Sequence, residues 1–138
     1  MQYNKLTIYT DGGARGNPGP AGIGAVILDE KGSIIAEISE CIGEATNNQA
    51  EYKALIAGLA KAKELGALEL EVFLDSELVV KQLNREYRVK DKQLASLFVQ
   101  AYNISLGFKK IIFKHIRREK NELADKLVNQ ALDKMVGV

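Results

Sequence analysis

At Thr46 the hydrophobic period of this chain changes, and that change limits the folds open to it more than any other feature. Before it, apolar residues recur in twos. KLTIYTD (5–11) reads as one strand and AGIGAVILDEKGSIIAEISECIG (21–43) as two strands about a turn from Asp29 to Gly32, together an antiparallel meander. From Thr46 onward, TNNQAEYKALIAGLAKAKELG follows a helical repeat. Thr46 and Gln49 form a capping box, the helix runs to about Leu65, and Gly66 supplies the stop.

Helices and strands then alternate. LELEVFLD (68–75) reads as a fourth strand, and Ser76 opens a helix through SELVVKQLN. KDKQLASLFVQAYNISLG (90–107) is a helix with Leu94, Leu97, Phe98 and Ala101 on one side, and KKIIFKHI (109–116) is a fifth strand. The last helix takes Asn121 as its N-cap and sets Leu123, Ala124, Leu127, Val128, Ala131, Leu132 and Met135 along a buried stripe. This pattern specifies an α/β fold with a five-stranded mixed sheet. Three strands are antiparallel, the later ones join in parallel through right-handed crossovers, and helices cover both faces.

The 138 residues suit one domain, 1–138. No apolar run approaches the roughly 20 residues that span a bilayer, so no membrane partner is expected. MQYNKLTIYTDGG lacks the basic start and apolar stretch of a signal peptide, which gives the expectation of a cytoplasmic protein. Cys41 is the only cysteine, excluding an internal disulfide or a cysteine zinc site, and is expected as a small buried apolar residue. A net charge of +1 hides a division: residues 1–80 hold 6 Lys/Arg and 12 Asp/Glu, whereas 81–138 hold 13 and 6. The basic half, densest in FKKIIFKHIRREK, suits a polyanion.

Four acids stand out against this skeleton. Asp11 ends the first strand and Asp75 the fourth, so neighbouring parallel strands would place both in the crevice beyond the carboxyl edge of the sheet. Glu51 begins the core-facing stripe of the first long helix, and Asp125 lies in the first turn of the last helix, bordering its apolar face. Each aspartate has a plain alternative as a turn, cap or macrodipole residue. Glu51 is harder to dismiss, since burying an ionised carboxylate costs on the order of several kcal/mol unless something compensates. Divalent ions would compensate four converging carboxylates, and such hard oxygen ligands suit Mg²⁺ or Mn²⁺.

TDGGARGNPGPAGIGAVI, TNNQAEYKALIAGL, LDSELVVKQL and REKNELADKLVNQA resemble, in order and over nearly the whole chain, the blocks of type 1 ribonuclease H, whose members cut the RNA strand of RNA/DNA hybrids. The resemblance implies a ribonuclease H-like fold and makes Asp11, Glu51, Asp75 and Asp125 catalytic ligands of two Mg²⁺ ions, with Mn²⁺ as an alternative. It implies in-line attack by water, 5′-phosphate and 3′-hydroxyl products, and little sequence preference. It also implies that Gly12 and Gly13 let backbone approach the phosphodiester. Asn17, Asn47 and Asn48 would read the hybrid's minor groove, which displays 2′-hydroxyls, and Thr46 and Asn17 would lie near phosphates or sugars.

The chain departs from the family in two places. Well-known bacterial members carry a long basic protrusion containing Trp after the fourth strand; here NREYRVKDKQ is short and the chain has no Trp, as in a short bacterial or archaeal form. Arg85, Arg88, Lys90 and Lys92 would take over phosphate contacts. Many members also place a His in a loop before the last aspartate. His115, ten residues before Asp125, falls inside a strand pattern, so HIRREKN leaves Arg118 or Glu119 as alternatives for that auxiliary position. A monomer is expected. A ribonuclease H-like binding module without catalysis, or a nuclease with another duplex preference, are the competing readings.

Overall fold

A computed structural model of the protein describes residues 3–135. The ends of the expected domain, and the side chain of Met135, lie outside the described residues. Five strands, β1 (Lys5–Ala14), β2 (Gly19–Leu28), β3 (Ile34–Ala45), β4 (Glu69–Leu74) and β5 (Lys110–His115), form one sheet in the order β3-β2-β1-β4-β5. β1 runs antiparallel to β2 and β2 to β3, while β4 and β5 add in parallel. The helices are α1 (Asn47–Glu64), α2 (Glu77–Leu83), α3 (Lys92–Ser105) and α4 (Glu122–Met135), with a 3-10 turn at Arg118–Lys120.

Alternation along the strands decides which helix covers which face. Leu6, Ile8 and Thr10 of β1 and Ala25 and Ile27 of β2 are buried, and Gly58 of α1 packs on Ile8, Thr10 and Ala25. On the opposite face, Gly22 and Gly24 of β2 lie against α4. A Cβ on Gly24 would sit 2.4 Å from the Ala124 carbonyl oxygen, so this helix can lie on β2 only because residue 24 has no side chain. The expected layering of helices on both faces is therefore present. α3 packs on α1.

Local signals fixed the helix starts. Thr46 and Gln49 make the reciprocal capping box, Ser76 accepts from the Val79 N–H, and Gly66 follows α1 with φ of +83°. α3 is capped by Asp91, which accepts from Gln93 and Leu94 N–H groups, so the helix begins two residues later than the expected Lys90.

Several expectations need correction. β1 does not stop at Asp11: its pairing with β4 ends at Thr10↔Leu74, but Asp11 to Ala14 continue along Gly24 to Ala21 of β2. Leu123 is 49% exposed, because the face α4 lays on the sheet is that of Ala124, Leu127, Val128, Ala131 and Leu132. Cys41 is exposed, since β3 is an edge strand, and its Sγ–H donates to the Ala131 carbonyl. Asn121 precedes α4, and its carbonyl accepts the Asp125 N–H, yet its side-chain oxygen caps nothing. That side chain is turned into the sheet.

Candidate active site

The end of the β1–β4 ladder positions the first two acids. Thr10↔Leu74 is the last paired rung of these strands, so Asp11 and Asp75 follow it side by side where β1 leaves β4. Gly12 brings up the third. A Cβ there would lie 2.2 Å from the Ala50 carbonyl oxygen, so its absence lets β1 touch the start of α1 next to Glu51. The first turn of α4 adds Asp125. The four carboxylates share one cleft of about 480 Å³, whose wall also includes Gly12, Gly13, Arg15, Asn47, Arg118 and Asn129.

Electrostatics record how close these groups are. Asp11 is pushed up to about 8 by burial first, then by the charges of Asp75, Asp125 and Glu51, and by a hydrogen bond with the Asp125 carboxyl. Burial lifts Glu51 to about 7, opposed by the Ser76 hydroxyl and the Arg118 guanidinium, with Asp75 raising it further. Oε2 of Glu51 is buried and no donor among the described residues reaches it. Acids that repel one another, an orphaned buried carboxylate oxygen and an all-oxygen donor set fit hard divalent cations. Among the described residues no three His, Cys, Asp or Glu side chains form a ready-made cage. Mg²⁺ needs none, because it keeps several waters and takes few protein ligands directly.

The residues expected to touch substrate divide between two adjoining clefts. Gly12 and Gly13 lie in the first, and Asn17, Thr46 and Asn48 line a second of about 420 Å³, together with Gln49, Asp91 and Gln93. Asn47 borders both. The side-chain Oδ1 of Asn47 accepts from Ala14 N–H and Oδ1 of Asn17 from the backbone N–H of Asn47, which fastens the glycine-rich loop to the start of α1. Both carbonyl oxygens are thus engaged, and the amide N–H groups remain for a ligand.

Of the three auxiliary candidates, only Arg118 lines the carboxylate cleft. His115 is exposed at the end of β5 and lines neither cleft. Glu119, in the same 3-10 turn as Arg118, lines neither cleft. Sequence reading took Ser76 and Asn121 only as caps and missed that both also serve the acids. Asn129 was missed as well; it is one helical turn after Asp125 and donates to Asp125 Oδ2 at 3.4 Å. The one available signal was polar residues four apart on the same face of α4.

Known proteins share this fold. A family model described as "Reverse transcriptase-like" matches residues 9–131. The chain is 47% identical over 130 residues to "Bifunctional protein Rv2228c" of Mycobacterium tuberculosis, which covers 94% of this chain but 36% of that protein. It is 46% identical over 129 residues to "Ribonuclease HI" of Halobacterium salinarum, covering 94% of this chain and 65% of the relative. The crystal structure of LC11-RNase H1, isolated from compost, in complex with an RNA/DNA hybrid superposes with a TM-score of 0.91 at 50% identity, over 95% of this chain and 99% of that one. By sequence over most of its length and by fold, the chain belongs to the type 1 ribonuclease H family.

Proposed function

We propose that the protein is an endonuclease that hydrolyses the RNA strand of RNA/DNA hybrids, acting as a cytoplasmic monomer. The observation that carries this reading is the meeting of Asp11, Glu51, Asp75 and Asp125, from four separate segments, in one cleft where burial and the neighbouring carboxylates favour the protonated forms of Asp11 and Glu51. Relatives named as ribonucleases H, one of them solved with a hybrid, support it.

The four carboxylates would hold two Mg²⁺ ions, or Mn²⁺. The chemistry such ions supply is Lewis acidity towards phosphoryl oxygens and the leaving O3′. The chain's own groups do the rest. Hydrolysis joins the oxygen of water to phosphorus and breaks the P–O3′ bond, leaving a 5′-phosphate and a 3′-hydroxyl. Side-chain N–H groups of Asn17, Asn47 and Asn48, with the Thr46 hydroxyl, face a shallow minor groove whose 2′-hydroxyls they can engage without reading base identity. Arg118 offsets negative charge at the cleft wall. Arg85, Arg88, Lys90 and Lys92, around the start of α3, contribute contacts to phosphate that weaken with salt.

End-labelled RNA/DNA hybrid, RNA duplex, DNA duplex and a duplex with one embedded ribonucleotide, each with Mg²⁺ and with Mn²⁺, test this reading. Cleavage of the hybrid alone, with the stated ends, is the expected result. Hybrid binding without cleavage would mark a non-catalytic module, and preferred cleavage of another duplex would mark a different nuclease.

A further inference from the structure

Asn121 makes contacts that an N-cap does not need. Its side chain is buried, with 1% of the residue exposed. The Nδ2 group donates to the Thr10 carbonyl at 2.8 Å and to Asp75 Oδ2 at 3.2 Å. Its backbone carbonyl accepts the Asp125 N–H at 3.1 Å. One residue thus holds the strand position just before Asp11, the side chain of Asp75, and the helical turn that carries Asp125.

The remaining atom, Oδ1, is buried with no donor among the described residues within reach. Buried amide oxygens are nearly always hydrogen-bonded. A residue retained only for packing would be better served by Leu or Val, which leave no acceptor unmatched. An amide here gains its value from a fixed N–H fork: with one N–H committed to backbone, the other fixes which Asp75 oxygen is engaged and leaves Oδ1 of Asp75 for the cleft.

We propose that Asn121 is a positioning residue for the carboxylate cluster: its amide orients Asp75 and locks the start of α4 to β1, so that the acids meet divalent cations already arranged. This rests on the metal-dependent nuclease reading above. The residue acts through Asp75 and touches no substrate.

The test compares wild type, Asn121→Ala and Leu59→Ala, a core substitution in α1 that lowers stability away from the cleft, all below their melting temperatures. Mn²⁺ binding is followed by calorimetry, and kcat, KM for hybrid and the Mg²⁺ midpoint by cleavage. For Asn121→Ala, Mn²⁺ affinity and kcat should each fall about 10- to 100-fold, KM should stay within about twofold, and the Mg²⁺ midpoint should rise. Leu59→Ala should keep wild-type values. Equal losses in both variants, or unchanged Mn²⁺ affinity in Asn121→Ala, overturn the proposal.

A measurement on wild type covers the case in which Asn121→Ala does not fold. The Asn121 side-chain amide protons should exchange slowly and shift during a Mg²⁺ titration followed by NMR; fast exchange, or no shift, overturns it. Wild type that binds Mn²⁺ with a shifting Asn121 amide but leaves hybrid intact would sink the nuclease reading and leave the positioning role standing.

Discussion

Asp11 and Asp125 face one another across a single cleft, the first from the middle of the first strand and the second from the first turn of the last helix. Burial, and then the charges of Asp75, Asp125 and Glu51, favour a proton on Asp11. The folded protein keeps that proton up to about pH 8, and the one on Glu51 up to about pH 7, whereas an unfolded chain releases both near pH 4. Folding therefore binds protons in this window, so stability is greatest at its acid end and is lost as pH rises through the folded values.

Without divalent ions, the melting temperature should accordingly fall between pH 5 and pH 8. Asp11→Asn should flatten that decline and, at pH 8 in EDTA, melt about 5 °C or more above wild type, because it removes a repelling charge at constant shape. Thermal melts across pH in EDTA decide it, and a wild-type curve that climbs from pH 5 to pH 8 would contradict the assignment.

The same protons must leave when cations arrive. Carboxylates coordinate in the ionised form, so Mn²⁺ binding at pH 7 should release about one proton or more, with affinity increasing from pH 6 to pH 8. Calorimetry in buffers of different ionisation enthalpy counts them. The number should drop in Asp11→Asn, and zero release by wild type would show that the cluster is already ionised.

Sequence made the fold legible because its signals were local and agreed with one another. The change of period at Thr46, the capping box with Gln49 and the lone stop at Gly66 each fix a boundary without reference to the rest of the chain. Glu51 was legible for the opposite reason, as a charge that violates its helical stripe. What stayed hidden depends on contacts between distant segments. Leu123 sits in an apolar sequence pattern, but which side of α4 meets the sheet is set by the close approach at Gly24. Likewise nothing adjacent to Asn121 hints that its amide reaches Thr10 and Asp75 across the fold.

Gly24 ties packing to the site directly. Its missing Cβ would lie 2.4 Å from Ala124 O, 3.0 Å from Leu127 Cβ and 3.1 Å from Val128 N, two of them backbone atoms that cannot rotate away. Gly24→Ala should push α4 off β2, costing about 1 to 3 kcal/mol, and should move Asp125 with it. Chemical denaturation and hybrid cleavage below the melting temperature measure the two effects, and an Ala variant with wild-type stability would mean the helix is not in contact as described.

Arg118 and His115 stand on opposite sides of a clear distinction. Arg118 lines the carboxylate cleft and its charge draws Glu51 downward, whereas His115 lies at the exposed end of β5 beside Glu77. Removing the guanidinium lets Glu51 hold its proton to higher pH, so at limiting Mg²⁺ more of the protein carries a protonated Glu51 at neutral pH. Arg118→Ala should then lower kcat/KM on a hybrid at pH 7 by up to about fivefold, as expected when a group titrating near 7 is raised by up to about one unit, and shift the acid limb of the pH profile upward, with partial recovery above pH 8. His115→Ala should stay within about twofold of wild type across the same range, because it removes a side chain that does not line the cleft. Profiles of both variants from pH 6 to pH 9 separate these outcomes, and a larger loss in His115→Ala than in Arg118→Ala would reverse the assignment of the auxiliary group.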